Sequence, residues 1–233
     1  MTTTLVIRPL VVGLLISIAA TSSFGALISI KNAGFENPAV GSGADANNAT
    51  DWDTPTASTG VLGSPGQFEA SPPEGTQVGF LSTNGPRLMS QPLFGGVDPI
   101  LIAAQQTYSF SMRLGRRNLT SATGNPYELF VAVRPVADDA TDLAGATAST
   151  SLIVDDSFTP KGSFSLATFT LMTGANPIGL GQQVELVLLK NSGGQALIDA
   201  ITGDVLAVPE CSTIVLFGLS LAGVGMAVRR RAA

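Results

Sequence analysis

An all-β fold, a jelly-roll sandwich of about eight or nine strands, is what the 233-residue sequence predicts, and three observations carry that expectation. Charged residues make up only 12% of the chain, about half the usual quarter, while 26 Gly and 14 Pro supply frequent turns. Short stretches of alternating polarity recur between those turns, enriched in the Thr, Val, Phe and Tyr that suit a pleated, half-buried surface. No period of 20–50 residues repeats, which excludes solenoids and propellers. The length fits one domain with a sizeable core.

Residues 1–25 open with a lone basic residue, Arg8, then an apolar run from Leu10 to Ala20, then small residues ending in Ser23-x-Gly25. That is the layout of a secretory signal peptide. The sandwich is expected over 26–207. "TQVGFLS" (76–82), "QTYSFSMRL" (106–114), "YELFVAVR" (127–134), "SFSLATFTL" (163–171) and "QVELVLLK" (183–190) read as strands. In the third, Tyr127, Leu129, Val131 and Val133 share one face and Glu128, Phe130, Ala132 and Arg134 the other. In the fourth, Ser165, Ala167 and Phe169 oppose Phe164, Leu166 and Thr168. Weaker patterns at 27–31, 87–94, 150–154 and 195–208 complete the count. Connections such as "GSGADANNATDWDTPTASTGVLGSPG" are long and turn-rich, as in sandwiches whose function sits in loops.

Residues 208–233 form a tail in three parts. "VPECST" precedes about 15 apolar or small residues from Ile214 to Val228, short of the roughly 20 that span a bilayer comfortably. Arg229, Arg230 and Arg231 follow, a cluster that holds a tail on the cytoplasmic side. The order of motif, transmembrane-like helix and basic cluster resembles the PEP-CTERM sorting signal of exosortase substrates. Pro209, Glu210 and Ser212 match that pattern, and Cys211 stands where a second Pro is usual. The resemblance implies an exosortase-type membrane peptidase as partner, transient association with the inner membrane, and release to the envelope or extracellular space.

Composition removes several function classes. Between Ala26 and Val208 there are 8 Lys+Arg against 16 Asp+Glu, so the body is acidic and is repelled by nucleic acid. No His is present, which removes the commonest general base and the commonest transition-metal ligand. The single cysteine excludes an intrachain disulfide. Lacking His and a Ser-nucleophile motif, the chain is expected not to be an enzyme.

A second resemblance covers most of residues 27–208. "IKNAGFENP", the "DW" at Asp51–Trp52, "PEGTQVGFL", "QQTYSFSMRLGRR" and the closing "ALIDAITGDVLAV" are similar to secreted bacterial jelly-roll proteins related to carbohydrate-binding modules. That likeness implies a structural Ca2+ held by Glu36 and Asp199, two hard-oxygen ligands helped by carbonyls. The alternative is a turn-capping Glu36 and a solvated Asp199.

Two features could contact a ligand. Trp52, the only Trp, could stack on a sugar ring or anchor the core. Arg113, Arg116 and Arg117 surround Gly115; Arg116 and Arg117 could grip a carboxylate or pair within the molecule. The function expected is a non-enzymatic, exported envelope or matrix protein that contacts exopolysaccharide. A purely structural self-associating component and a carbohydrate-active hydrolase are the alternatives.

Overall fold

The computed structural model describes residues 25–63, 71–83, 85–118, 124–136 and 141–207. The expected signal peptide, and the tail with Pro209, Glu210, Cys211, Ser212 and Arg229–Arg231, lie outside the described residues, except for Gly25.

The strands are β1 (Ala26–Ile28), β2 (Asp45–Ala46), β3 (Thr59–Gly63), β4 (Gln77–Leu81), β5 (Arg87–Pro92), β6 (Phe94–Gly95) and β7 (Asp98–Pro99). They continue with β8 (Gln106–Gly115), β9 (Tyr127–Pro135), β10 (Ala148–Val154), β11 (Phe164–Met172), β12 (Val184–Gly193) and β13 (Ala196–Ala207). One sheet runs β11-β8-β13-β4-β3-β2, with β1 added to β13. The other runs β10-β9-β12-β5, and β6 with β7 forms a small ribbon. Every pairing is antiparallel, and the first strand lies on the last, Ala26 opposite Val205. The all-β sandwich is therefore the fold.

Period-two alternation builds the space between the sheets. Tyr108, Phe110, Met112 and Leu114 of β8 point into it, as do Tyr127, Leu129, Val131 and Val133 of β9. In β11 the buried row is Ala167, Phe169 and Leu171, and the exposed row is Leu166, Thr168, Thr170 and Met172. β12 is buried from Val184 to Lys190, because a second cluster of Leu88, Ala132, Val187 and Leu189 covers the smaller sheet's outer face with help from Leu143 and Ala146. Its apolar run, Leu186 to Leu189, reflects that double cover.

Charges enter this interior only in pairs or with hydrogen bonds. Arg134 and Glu185, registered opposite each other on β9 and β12, form a buried ion pair at 2.5 Å, and Arg134 also donates to the Asp142 carbonyl at 2.6 Å. Lys190, fully buried, donates to the Gly85 carbonyl at 3.0 Å.

The N-terminal segment is pinned by its own polar residues. Asn32 adopts a left-handed backbone and donates to the carbonyls of Asn37 and Thr50. Phe35 is thereby turned inward, fully buried, and stacks on Trp52 with ring centroids 5.3 Å apart. Gly79 makes room for that ring: a Cβ there would sit 2.7 Å from it.

Candidate functional site

The outer face of the larger sheet carries a groove. Register places Leu62 of β3 opposite Val78 of β4, Phe80 of β4 opposite Leu197 of β13, and Leu197 opposite Gly115 of β8. Leu62, Val78, Phe80 and Leu197 form an apolar cluster of their own on that face, with Phe164 packed against it. Above Leu62 and Phe80 lies a groove of about 300 Å³, rimmed by Asp45, Ser58, Ser82, Arg117 and Gln195.

Asp45 and Arg117 each have a structural reason to be there. Asp45 pairs with Leu62 through β2, and the loop behind it lies directly over β3. Gly60 permits that approach, since any Cβ there would run into the Ala46 carbonyl and lie 2.5 Å from the Asn48 nitrogen. Arg117 follows the end of β8 and donates through Nη1 to Gln195 Oε1 at 2.6 Å. Burial pulls its guanidinium below the ordinary value, and the nearby Asp45 charge opposes that shift. Its Nε–H is buried with no acceptor among the described residues. The groove thus sets a carboxylate against a guanidinium and an amide, over an aromatic floor.

The other expected site residues lie elsewhere. Arg116 is 1% exposed and pairs with Asp156 at 2.6 Å, while donating to the Gly124 carbonyl at 2.8 Å. It ties two loops together and does not reach the groove. Trp52 is 6% exposed in the core, so it offers no stacking platform. Arg113 is exposed on β8, in register with Asp199.

Glu36 and Asp199 do come to one place, on either side of the loop that precedes β4. Glu36 accepts from the backbone N–H of Thr76 and Gln77, both at 2.9 Å, and from the Thr76 hydroxyl at 3.2 Å. Asp199 accepts from the N–H of Glu74 at 2.9 Å and of Ala200 at 2.8 Å. Burial pushes the Asp199 carboxyl up to about 7, against the pull of its two backbone donors and with a push from the charges of Glu74 and Glu36. Ala200 sits at φ 51 in the bulge between Asp199 and Thr202, a left-handed residue holding the carboxyl in place. Both carboxylates accept backbone N–H donors, and no group of three or more acidic, His or Cys side chains is found together among the described residues. As arranged, the two carboxylates anchor the loop that precedes β4 from either side.

Comparison with known proteins decides the family. The HpiC1-like family model, described as HpiC1 cyclase, matches residues 26–202. The chain belongs to the HpiC1-like family. Among solved structures, the Stig cyclase FisC from Fischerella sp. TAU, in complex with (3Z)-3-(1-methyl-2-pyrrolidinylidene)-3H-indole, aligns with TM-score 0.59 and 15% identity over 79% of this chain and all of that one. An apo cyclase from Fischerella sp. aligns with TM-score 0.59 and 17% identity over 79% of this chain and 98% of that one. A Fischerella sp. TAU cyclase in complex with 4-(1H-indol-3-yl)butan-2-one gives TM-score 0.58 and 16% identity over 78% and 98%. No curated protein matches the sequence.

Membership of the HpiC1-like family overturns the expectation of a non-enzymatic module. The absence of His argued against hydrolytic triads, yet proton transfer also falls to Asp, Glu and Tyr, which this chain has. The family match ends at residue 202, before the tail that resembles a sorting signal.

Proposed function

We propose that the chain is an exported enzyme of the cyclase type, acting on a small organic substrate in the groove over Phe80. The observation that carries this reading is the groove itself, in which Asp45 faces Arg117 and Gln195 across an apolar floor, in a member of a cyclase family. Leu62 and Phe80 bury the apolar part of the substrate. Arg117 and Gln195 hold a polar substituent through charge-assisted and amide hydrogen bonds. Asp45, a carboxylate on the rim, accepts a proton from the substrate as the ring closes.

The test is titration with 4-(1H-indol-3-yl)butan-2-one, followed by NMR. Saturable shifts on Phe80 and Arg117, reduced about tenfold or more in Arg117→Met, support the reading, a change equivalent to about 1.4 kcal/mol. Binding that is unaffected by both Arg117→Met and Asp45→Asn overturns it. A second reading, contact with exopolysaccharide, is favoured by the hydroxyl and amide rim of Ser58, Ser82 and Gln195. Shifts at the same residues with neutral oligosaccharides, and none with the indole ketone, would support it instead.

Export and sorting by an exosortase-type peptidase belong to the same proposal and rest on the residue pattern at the two ends. Mass spectrometry of the mature protein from its host tests this part. Loss of residues 1–25 and of Arg229–Arg231 is expected, and an intact arginine cluster on exported protein refutes it.

A further inference from the structure

The end of the sandwich where β13 closes carries an exposed apolar patch on two loops laced together. The loop before β8 and the loop before β12 share main-chain bonds: Ile102 donates to the Gln182 carbonyl at 2.9 Å, Gly181 donates to the Ile102 carbonyl at 2.8 Å, and Leu101 bridges to Gln183. Gly179 and Gly181 adopt φ of 73 and 78 on either side of Leu180, a tight turn that leaves this side chain at the surface. The Ile178 carbonyl accepts from Thr147 Oγ1 at 2.8 Å, so the loop is fixed in place. Leu101, Ile178 and Leu180 are 48%, 58% and 61% exposed, and Val136, which donates to the Gln183 carbonyl, is half-buried beside them. Exposed apolar residues scattered singly are ordinary, but a contiguous group marks a contact surface.

Gln106 ties this patch to the point where the chain leaves the fold. It opens β8 opposite Ala207, the last residue of β13. Its carbonyl accepts from the Thr173 N–H at 2.9 Å and its Oε1 from the Ala103 N–H at 3.0 Å, so both patch loops flank residue 207. Beyond that residue the sequence has "VPECST", then the apolar run from Ile214 to Val228 and the arginines at 229–231. Such a linker reaches about 20 Å at most, so whatever takes up the apolar run lies close to the patch. Charge selects the partner further. "PILIAAQ" (99–105) and "TGANPIGLGQQ" (173–183) contain no Asp, Glu, Lys or Arg, in a body with 16 Asp+Glu. Asp98 precedes the first loop, and Asp138 and Asp139 follow Val136 in sequence, so the surroundings suit a neutral surface and repel an anionic one.

We propose that this end of the sandwich is a lipid-contact surface: for as long as the tail is attached, Leu101, Ile178 and Leu180 rest on the zwitterionic face of the bilayer that takes up the tail's apolar run. The inference rests on the reading of residues 208–233 as a membrane-held tail, and goes beyond it by fixing how the folded domain is oriented. Tethering brings the patch to the bilayer at high effective concentration, and burial of three apolar side chains at the interface offsets the freedom lost on docking. Docked this way, the groove stays clear of the lipid. Leu197, on its floor, lies ten residues along β13 from Ala207, a separation of about 30 Å at the rise of a β-strand. A substrate therefore reaches the groove from solution.

The experiment uses the full chain with phosphatidylcholine vesicles. Leu180→Trp sets a reporter in the patch, and Ile153→Trp sets one at equal exposure, 61%, toward the other end of the sandwich, where Ile153 lies opposite Glu128. Co-flotation with the vesicles reads insertion of the tail. In the floated protein the added emission of Leu180→Trp is expected at shorter wavelength and quenched about twofold or more by phosphatidylcholine brominated on its acyl chains, with Ile153→Trp unaffected. Adding Ile178→Lys to the Leu180→Trp chain reduces that quenching about twofold, because a charge then sits in the contact. Protein that floats while Leu180→Trp keeps the emission of a water-exposed indole overturns the proposal and leaves the tail reading standing; protein that does not float overturns both. The proposal is also overturned by an emission shift already complete without vesicles, which puts the tail or a second copy over the patch, and by quenching that appears only when phosphatidylglycerol is added.

Discussion

Arg134 and Glu185 stand at 1% and 3% side-chain exposure and pair with each other, and the Asp142 carbonyl accepts a further bond from the guanidinium. Glu185→Gln leaves a buried guanidinium without its counter-charge and is expected to lower unfolding free energy by about 3–5 kcal/mol. Urea titration measures this, and the double change Arg134→Met with Glu185→Leu should recover most of the loss. Two further buried groups shape the pH profile. Asp199 is pushed from 3.8 to about 7, chiefly by burial, so between those values the folded state holds a proton the unfolded chain has released. Stability therefore falls as pH rises from about 4 to 7. Lys190 is pulled from 10.5 to about 8, first by burial and then by the Arg87 charge, so the unfolded chain binds more protons from pH 8 upward and stability rises there. A shallow minimum between pH 7 and 8 is the expected outcome in chemical denaturation. Asp199→Asn should flatten its acid limb alone.

At the scale of the element, close approaches decide what may change. Gly79→Ala pushes a Cβ into the Phe35 ring and is expected to destabilise by about 1–3 kcal/mol. Because Trp52 stacks on Phe35, tryptophan emission should shift to longer wavelength in the same variant. The principal strands were legible in the sequence wherever one face met the core: the alternation of β9 and β11 divides their residues into the same two rows that the structure sorts by burial in β11 and, for Tyr127, Leu129, Val131 and Val133, in β9. β3 was missed because "TGVLG" has a glycine at each side of only two apolar residues, and its strand state depends on β4 beside it. The groove escaped for a related reason. Asp45, Phe80, Arg117 and Gln195 are scattered over 150 residues of sequence, and only register brings them together. Arg117 was legible as part of a basic cluster, but its neighbour Arg116, of the same residue type, faces the other way into an ion pair.

For the whole molecule, calcium offers a test that separates two readings of the Glu36–Asp199 region. Both carboxylates already accept N–H donors from the loop between them, so EDTA is expected to leave the melting temperature unchanged. A fall with EDTA, reversed by added Ca2+, would place an ion there. The same region explains why the expectation of a sugar platform did not survive: the segment that carries Trp52 closes over the core at the point where Phe35 enters it. The acidic, His-free composition and the sandwich were written in residue frequencies and period. The enzymatic family was not, because a proton-transfer site needs no distinctive residue type, only a carboxylate in the right place.

β1 lies antiparallel on β13, with Ala26 opposite Val205, so the polypeptide enters and leaves the sandwich at the same pole on neighbouring strands. Strands so paired are about 4.8 Å apart. A short glycine-rich linker from residue 207 to residue 26 would therefore close the backbone into a ring without disturbing either sheet. Reopening that ring in the exposed turn at 155–157 should give a circular permutant that folds with its new ends at the opposite flank.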